Sequence, residues 1–246
     1  MSIEERIFSL DGQWNTIHLP EQPNGFAVMI FGDCNHFVDQ QSSLWKQNKD
    51  RFELIQTLKQ KGYTVFYSNL YGRNWGNQDA VSLARRVYRY VIKYEILNPS
   101  IHILAEGMGA LTALDFINDM EGSIRSAVFL NPCLNLKSHF QQEKKNKLFL
   151  KRVRKEISQA YGIKEENMDE FLEKTVTRFT LKHEVPVKIF HDATGTVYPF
   201  EIHSRPFEAS CLEKGYAVSL TIQMASKSLG NFQAVPRFFS LYESIL

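Results

Sequence analysis

The stretch ILAEGMGALTAL, residues 103–114, decides how this chain is read. An apolar strand runs to Ala105, the chain turns through Glu106-Gly107-Met108-Gly109, and an Ala/Leu-rich helix follows at once. Glycine at such a turn supplies backbone angles and close approaches that other residues resist. A strand feeding a helix this abruptly predicts one βα unit of a parallel sheet.

The same alternation extends in both directions. Upstream, ERIFSL and WNTIHL flank Asp11-Gly12, a hairpin signal. FAVMIFGD is a continuous apolar run, the pattern of a strand buried on both faces. Residues 50–61 place Phe52, Leu54, Ile55 and Leu58 among charges and end at Gly62, which predicts an amphipathic helix with a glycine cap. Strand YTVFYSNL, loop YGRNWGNQ and a helix from Asp79 to Leu97 lead to Pro99 and strand SIHILA. Downstream of the helix over Gly109–Met120 come strand IRSAVFLNP, a polar helical stretch over 137–182, strand PVKIFHD, a helix over Pro206–Lys214, strand YAVSLTIQM and a closing helix over Asn231–Leu246. The prediction is a single α/β domain over 1–246: a mostly parallel, doubly wound sheet with an antiparallel N-terminal hairpin. The 137–182 segment is expected as a helical cap inserted above the sheet's carboxyl edge, where open α/β sheets bind ligands.

Composition narrows the function. With 43% hydrophobic and 23% charged residues and a formal charge of +2, the 246-residue chain has the balance of a water-soluble globular protein. Cys34, Cys133 and Cys211 are odd in number and widely spaced, which fits a reducing compartment, and a cytoplasmic location is expected. No run approaches the ~20 apolar residues of a membrane span, and the first residues have no signal-peptide pattern.

In element order the chain resembles the α/β-hydrolase superfamily, in particular its small esterase, lipase and serine-peptidase-like members with a helical cap. The resemblance spans the whole chain and rests on IFGDCNHF, NLYGRNWGN, AEGMGA and PVKIFHDATGTVYP, each after its strand. It implies a nucleophile in a G-x-S-x-G elbow, followed in chain order by an acid and a histidine. Matched motif by motif, the nucleophile position is Gly107, the acid position in HDATGTVYP is Gly195, and the histidine position in ASKSLGNF is Leu229, or Ser228 one residue earlier. The three chemically competent side chains are therefore expected to be absent. Losing the nucleophile or the base of such a triad costs about 10⁶-fold in kcat, so a catalytically degenerate relative acting by ligand or partner binding is the leading expectation.

The alternative is a hydrolase or acyl transferase for a small ester or thioester, with Cys34 as nucleophile and His36 two residues later as base. Against it stands the reading of Cys34 as a packing residue and His36 as a loop residue. Asp33, Cys34, Met108 and His191 are the candidate pocket residues, since all fall at predicted carboxyl ends of strands; for Asp33 a loop-ordering hydrogen bond is the competing role. No metal-ligand spacing, P-loop or dinucleotide fingerprint occurs, so no metal, nucleotide or other cofactor is expected. KKNKLFLKRVRK, residues 144–155, carries Lys144, Lys147, Lys151 and Arg154 on the predicted cap. That run is either a solvated face or a surface for an anionic ligand, acidic protein partner or membrane. No reader motif supports nucleic-acid binding.

Overall fold

In a computed structural model, residues 4–145, 147–174, 180–224 and 233–243 are described, the side chain of Lys147 excepted. Eight strands form one sheet in the order β1-β2-β4-β3-β5-β6-β7-β8. β1 (Glu5–Leu10) and β2 (Gln13–His18) pair antiparallel across the Asp11-Gly12 turn, and β2 joins β4 (Thr64–Ser68) antiparallel. All later pairings are parallel: β3 (Ala27–Phe31) with β4 and β5 (Ile101–Glu106), then β6 (Ile124–Leu130), β7 (Val187–Asp192) and β8 (Val218–Gln223). β3 and β4 are buried from end to end, β3 as its unbroken apolar run AVMIF requires.

Helices cover both faces. On one, α3 (Gln78–Tyr94), α4 (Gly109–Asp119) and α8 (Ser204–Glu213) pack on Met29, Ile103, Ala127 and Ile189. On the other, α2 (Lys49–Gln60) and α9 (Ala234–Ser240) enclose Val28, Leu104 and Val128. The helix expected from 79 to 97 stops at Tyr94, because Glu95 turns extended and Asn98 donates its N–H to the Gly25 carbonyl. A short α1 (Leu44–Gln47), absent from the sequence expectation, precedes α2.

Among the described residues, the elements between β6 and β7 are all helical: α5 (Leu136–Glu143), α6 (Lys147–Tyr161), a 3₁₀ turn (Glu165–Asn167) and α7 (Met168–Lys174). Their apolar sides, including Leu136, Phe140, Val153, Ile157 and Leu172, close over Trp75 and Met108 to make a third core. Trp75 follows β4 and Met108 follows β5, so this core sits at the sheet's carboxyl edge.

Candidate functional site

The β5–α4 turn is as abrupt as the sequence predicts. Gly107 has φ +51°, in the left-handed region, and its N–H donates to the Leu130 carbonyl at the end of β6. Gly109 opens α4 against the end of β3: a Cβ there would lie 2.5 Å from the Phe31 carbonyl oxygen. That approach is open only to glycine. At Gly107 the obstruction is a different one. A Cβ would fall 2.1 Å from Asp33 Oδ1 and 2.2 Å from Asp33 Cγ. The carboxylate of Asp33, carried on the loop after β3, thus fills the space into which a side chain at 107 would project. It is held there by two bonds to Oδ1, from the Met108 backbone N–H at 2.7 Å and from the Tyr198 hydroxyl at 3.0 Å. The N–H after an elbow nucleophile is an oxyanion-hole donor in such folds; here it is spent on an internal carboxylate.

Tyr198 arrives from the loop after β7, which also carries Gly195. It is 3% exposed, and its hydroxyl also lies 3.4 Å from Cys34 Sγ. With the phenolic proton directed to Asp33, the thiol donates to the phenol. Burial, then the neighbouring Asp33 charge, push the Cys34 thiol up to about 12. His36 does not complement it: its Nε2–H donates to the Ser68 carbonyl at 2.9 Å, and burial lowers its pKa to about 4. No hydrogen bond joins the alternative pair Cys34 and His36 among the described residues: the thiol lies against Tyr198, while His36 holds the end of β4 through Nε2 and leaves Nδ1 without a partner. Cys133 is fully buried, with its N–H on the Gly107 carbonyl and its thiol raised by desolvation.

Asp33, Cys34 and Tyr198 contribute to the lining of a cleft of about 400 Å³. Its walls include Arg73 and Trp75 from the loop after β4, His139, Gln142 and Glu143 from α5, Phe149, Arg152 and Val153 from α6, and Val197. Glu156 ties the walls together: it accepts from Arg73 and from Trp75 Nε1–H at 3.2 Å, and Arg152 Nε is 3.5 Å away. Tyr161 and Asn77 add bonds to the Trp75 and Ala160 carbonyls. His139 stacks on Trp75 with ring centroids 5.3 Å apart, and desolvation brings its pKa down to about 4. Beneath the elbow, Glu106 receives a two-pronged ion pair from Arg51 of α2, both side chains being largely buried.

The other sequence candidates separate. Met108 is 1% exposed and packs in the third core, its sulfur accepting the Trp75 N–H, and it is not among the residues lining the cleft. His191 is fully buried: its Nε2–H donates to the Tyr198 carbonyl and its Nδ1 accepts from the Ser204 hydroxyl, each at 2.6 Å. It supports the Tyr198 loop and does not line the cleft. Asp192 is bonded to Asn131 and Gln223, joining the ends of β6, β7 and β8. Gly195 is exposed; Leu229 and Ser228 lie outside the described residues. Of the basic run, Lys144 pairs with Asp169 at 2.8 Å, Arg154 lies over the Phe140 ring, and Lys151 is exposed. No group of three or more His, Cys, Asp or Glu among the described residues is placed to hold a metal, and no helix there is long and apolar enough to cross a membrane.

Sequence reasoning did not nominate Tyr198, His139, Arg73, Trp75 or Glu156. The motifs NLYGRNW and TVYP contain three of them, but only the fold brings those loops to Asp33.

This sheet order, elbow and placement of helices define the α/β-hydrolase fold, and solved structures bear this out. Est1E from Butyrivibrio proteoclasticus superposes with a TM-score of 0.68 at 14% identity, over 99% of this chain and 100% of that one. Pyrococcus horikoshii acylaminoacyl peptidase gives 0.67 at 14% identity, over 96% of this chain, which spans 41% of the peptidase. A 2,6-dihydroxy-pseudo-oxynicotine hydrolase gives 0.65 at 14%, over 98% and 68%. No family model matches the chain, and no curated protein matches it by sequence.

Proposed function

We propose that this chain is a catalytically degenerate α/β-hydrolase-like protein that binds a small molecule in the cleft between its elbow and a helical cap over 137–182. The observation that carries the reading is Asp33. Its carboxylate occupies the volume over Gly107 and takes up the Met108 N–H. A carbonyl substrate would meet negative charge where developing oxyanion charge needs donors. Gly107 supplies no attacking atom, and Gly195 no acid.

Acyl transfer from Cys34 draws no support from a thiol raised to about 12 beside an imidazole engaged elsewhere. A second binding surface for an acidic partner, over Lys144, Lys147, Lys151 and Arg154, is favoured by the exposure of Lys151 beside Leu148, which is 84% exposed. Charge reversal at these four positions should then weaken a salt-sensitive complex; binding indifferent to reversal removes that surface. The three cysteines are free, in keeping with a cytoplasmic setting.

The main reading is tested by incubating the purified chain with activated esters and thioesters. Turnover no faster than buffer is expected. Turnover that Asp33→Asn or Cys34→Ala abolishes would overturn it.

A further inference from the structure

We propose that the cleft takes a small amine, whose ammonium head binds Asp33 Oδ2 while a slim apolar body lies against Phe149, Val153 and Val197. The inference rests on the binding reading above and adds the chemical class of the ligand.

Three observations select a cationic donor. First, both bonds to Asp33 go to Oδ1, and Oδ2 has no hydrogen-bond partner among the described residues, although the side chain lines the cleft. A carboxylate oxygen left open in a partly desolvated site favours a charged donor, since hydrogen bonds to ionised groups are the stronger ones.

Second, the cations of the walls are already engaged. Arg73 uses each of its three nitrogens, donating to Glu156, to the Cys34 carbonyl and to Asn35 Oδ1. Arg152 is 3.5 Å from Glu156 and lies over the Phe149 ring at 5.4 Å. Glu156 offsets one of the two guanidinium charges, and with Asp33 and Glu143 two cations face three carboxylates, so an anionic head would meet a net negative site. Within this cleft the charges therefore favour an amine over the small acyl or anionic ligand that the hydrolase resemblance and the basic cap suggest.

Third, two buried polar atoms of the lining residues have no partner among the described residues: His139 Nδ1 and Gln142 Oε1. His139 is 3% exposed, and desolvation keeps its ring neutral down to about pH 4. The amide oxygen only accepts, and a neutral imidazole accepts at one nitrogen. Both atoms are closed to solvent, so the ammonium pairs with Asp33 Oδ2, and a side-chain rotation must precede any second acceptor from His139 or Gln142. Apolar side chains at the mouth, with Phe149 48% and Val197 61% exposed, suit a hydrocarbon body.

Isothermal calorimetry of the full chain with 2-phenylethylammonium, 2-phenylethanol and phenylacetate tests this. The ammonium should bind about tenfold or more tighter than the isosteric alcohol, the worth of a charge-assisted bond, and phenylacetate most weakly. Asp33→Asn keeps the size of the side chain and should remove the preference for the ammonium. Val197→Arg, at an exposed mouth position, should weaken the ammonium several-fold more than the alcohol, since both lose the apolar contact and only the ammonium is repelled, and it serves if Asp33→Asn does not fold. Equal or tighter binding of the alcohol or phenylacetate overturns the amine assignment while leaving a binding cleft. Failure of all three probes overturns the amine assignment and removes support for the cleft as a binding site. An ammonium affinity unmoved by Asp33→Asn and Val197→Arg overturns the placement.

Discussion

Gly107→Ala should destabilise the fold by about 2.5–5 kcal/mol, most of it through Asp33. An L-residue in the left-handed region costs about 1–2 kcal/mol, and Gly107 sits at φ +51°. The added methyl would lie 2.1 Å from Asp33 Oδ1, well inside van der Waals contact, so the carboxylate must move. Moving it breaks the 2.7 Å bond from the Met108 N–H, a charge-assisted interaction worth about 1.5–3 kcal/mol. In an Asp33→Ala background that second cost is already spent, and Gly107→Ala should add only the backbone cost of about 1–2 kcal/mol. Urea denaturation of the two single variants, the double variant and the parent, at a common m-value, gives the cycle. A coupling of about 1.5–3 kcal/mol is expected. Additivity within about 0.5 kcal/mol would refute the claim that Asp33 occupies the nucleophile's place.

Other perturbations probe the surroundings. With Cys34 at about 12 against an ordinary 9.0, a difference of 3 units, its thiolate fraction at pH 8 should be about a thousandfold below that of a free thiol. Iodoacetamide labelling of the native chain should then be far slower than that of the denatured chain, and Asp33→Asn should speed it; equal rates would contradict the buried, Asp33-shadowed thiol. His139 falls from 6.5 to about 4 on folding, so its neutral burial stabilises fully above pH 6.5, and that contribution is lost as the pH drops towards 4. His139→Phe, which retains a ring against Trp75, should reduce the stability lost between pH 7 and pH 5 by about 2 kcal/mol; an unchanged pH profile would place the ring in solvent. Glu106→Gln should cost about 3–5 kcal/mol by stranding the buried Arg51 guanidinium, and Arg51→Met added to Glu106→Gln should recover part of it. A loss below about 1 kcal/mol would make the pair a surface one.

The fold was legible because the deciding signals are local. An unbroken apolar run such as AVMIF announces a doubly covered strand within its own five residues, and AEGMGA announces a turn by its glycines. The site was legible only where a backbone motif marks it. Gly107 was readable as an elbow lacking a side chain, with relief of backbone strain as the apparent reason. The further reason, a carboxylate in the vacated volume, depends on Asp33, 74 positions away in sequence, and a Tyr198 hydroxyl 165 positions from Asp33. No periodicity encodes such a meeting. A loop-ordering hydrogen bond is legible for Asp33 from its place after β3, but not that its donor is the elbow's own N–H. His191 resembled a pocket residue because it ends a strand at the right edge, yet Ser204 and the Tyr198 carbonyl claim both its nitrogens. His139 gave no signal at all: one histidine in a polar helix becomes distinctive only when it stacks on Trp75.

The central claim is that the elbow holds an internal carboxylate in place of a nucleophile, and ester turnover tests it most directly. Purified chain assayed against p-nitrophenyl esters of graded acyl length, and against matching thioesters, should hydrolyse none faster than buffer, and Asp33→Asn should change nothing. Hydrolysis above buffer that Asp33→Asn abolishes would show the carboxylate attacking substrate, and the protein would then be an enzyme.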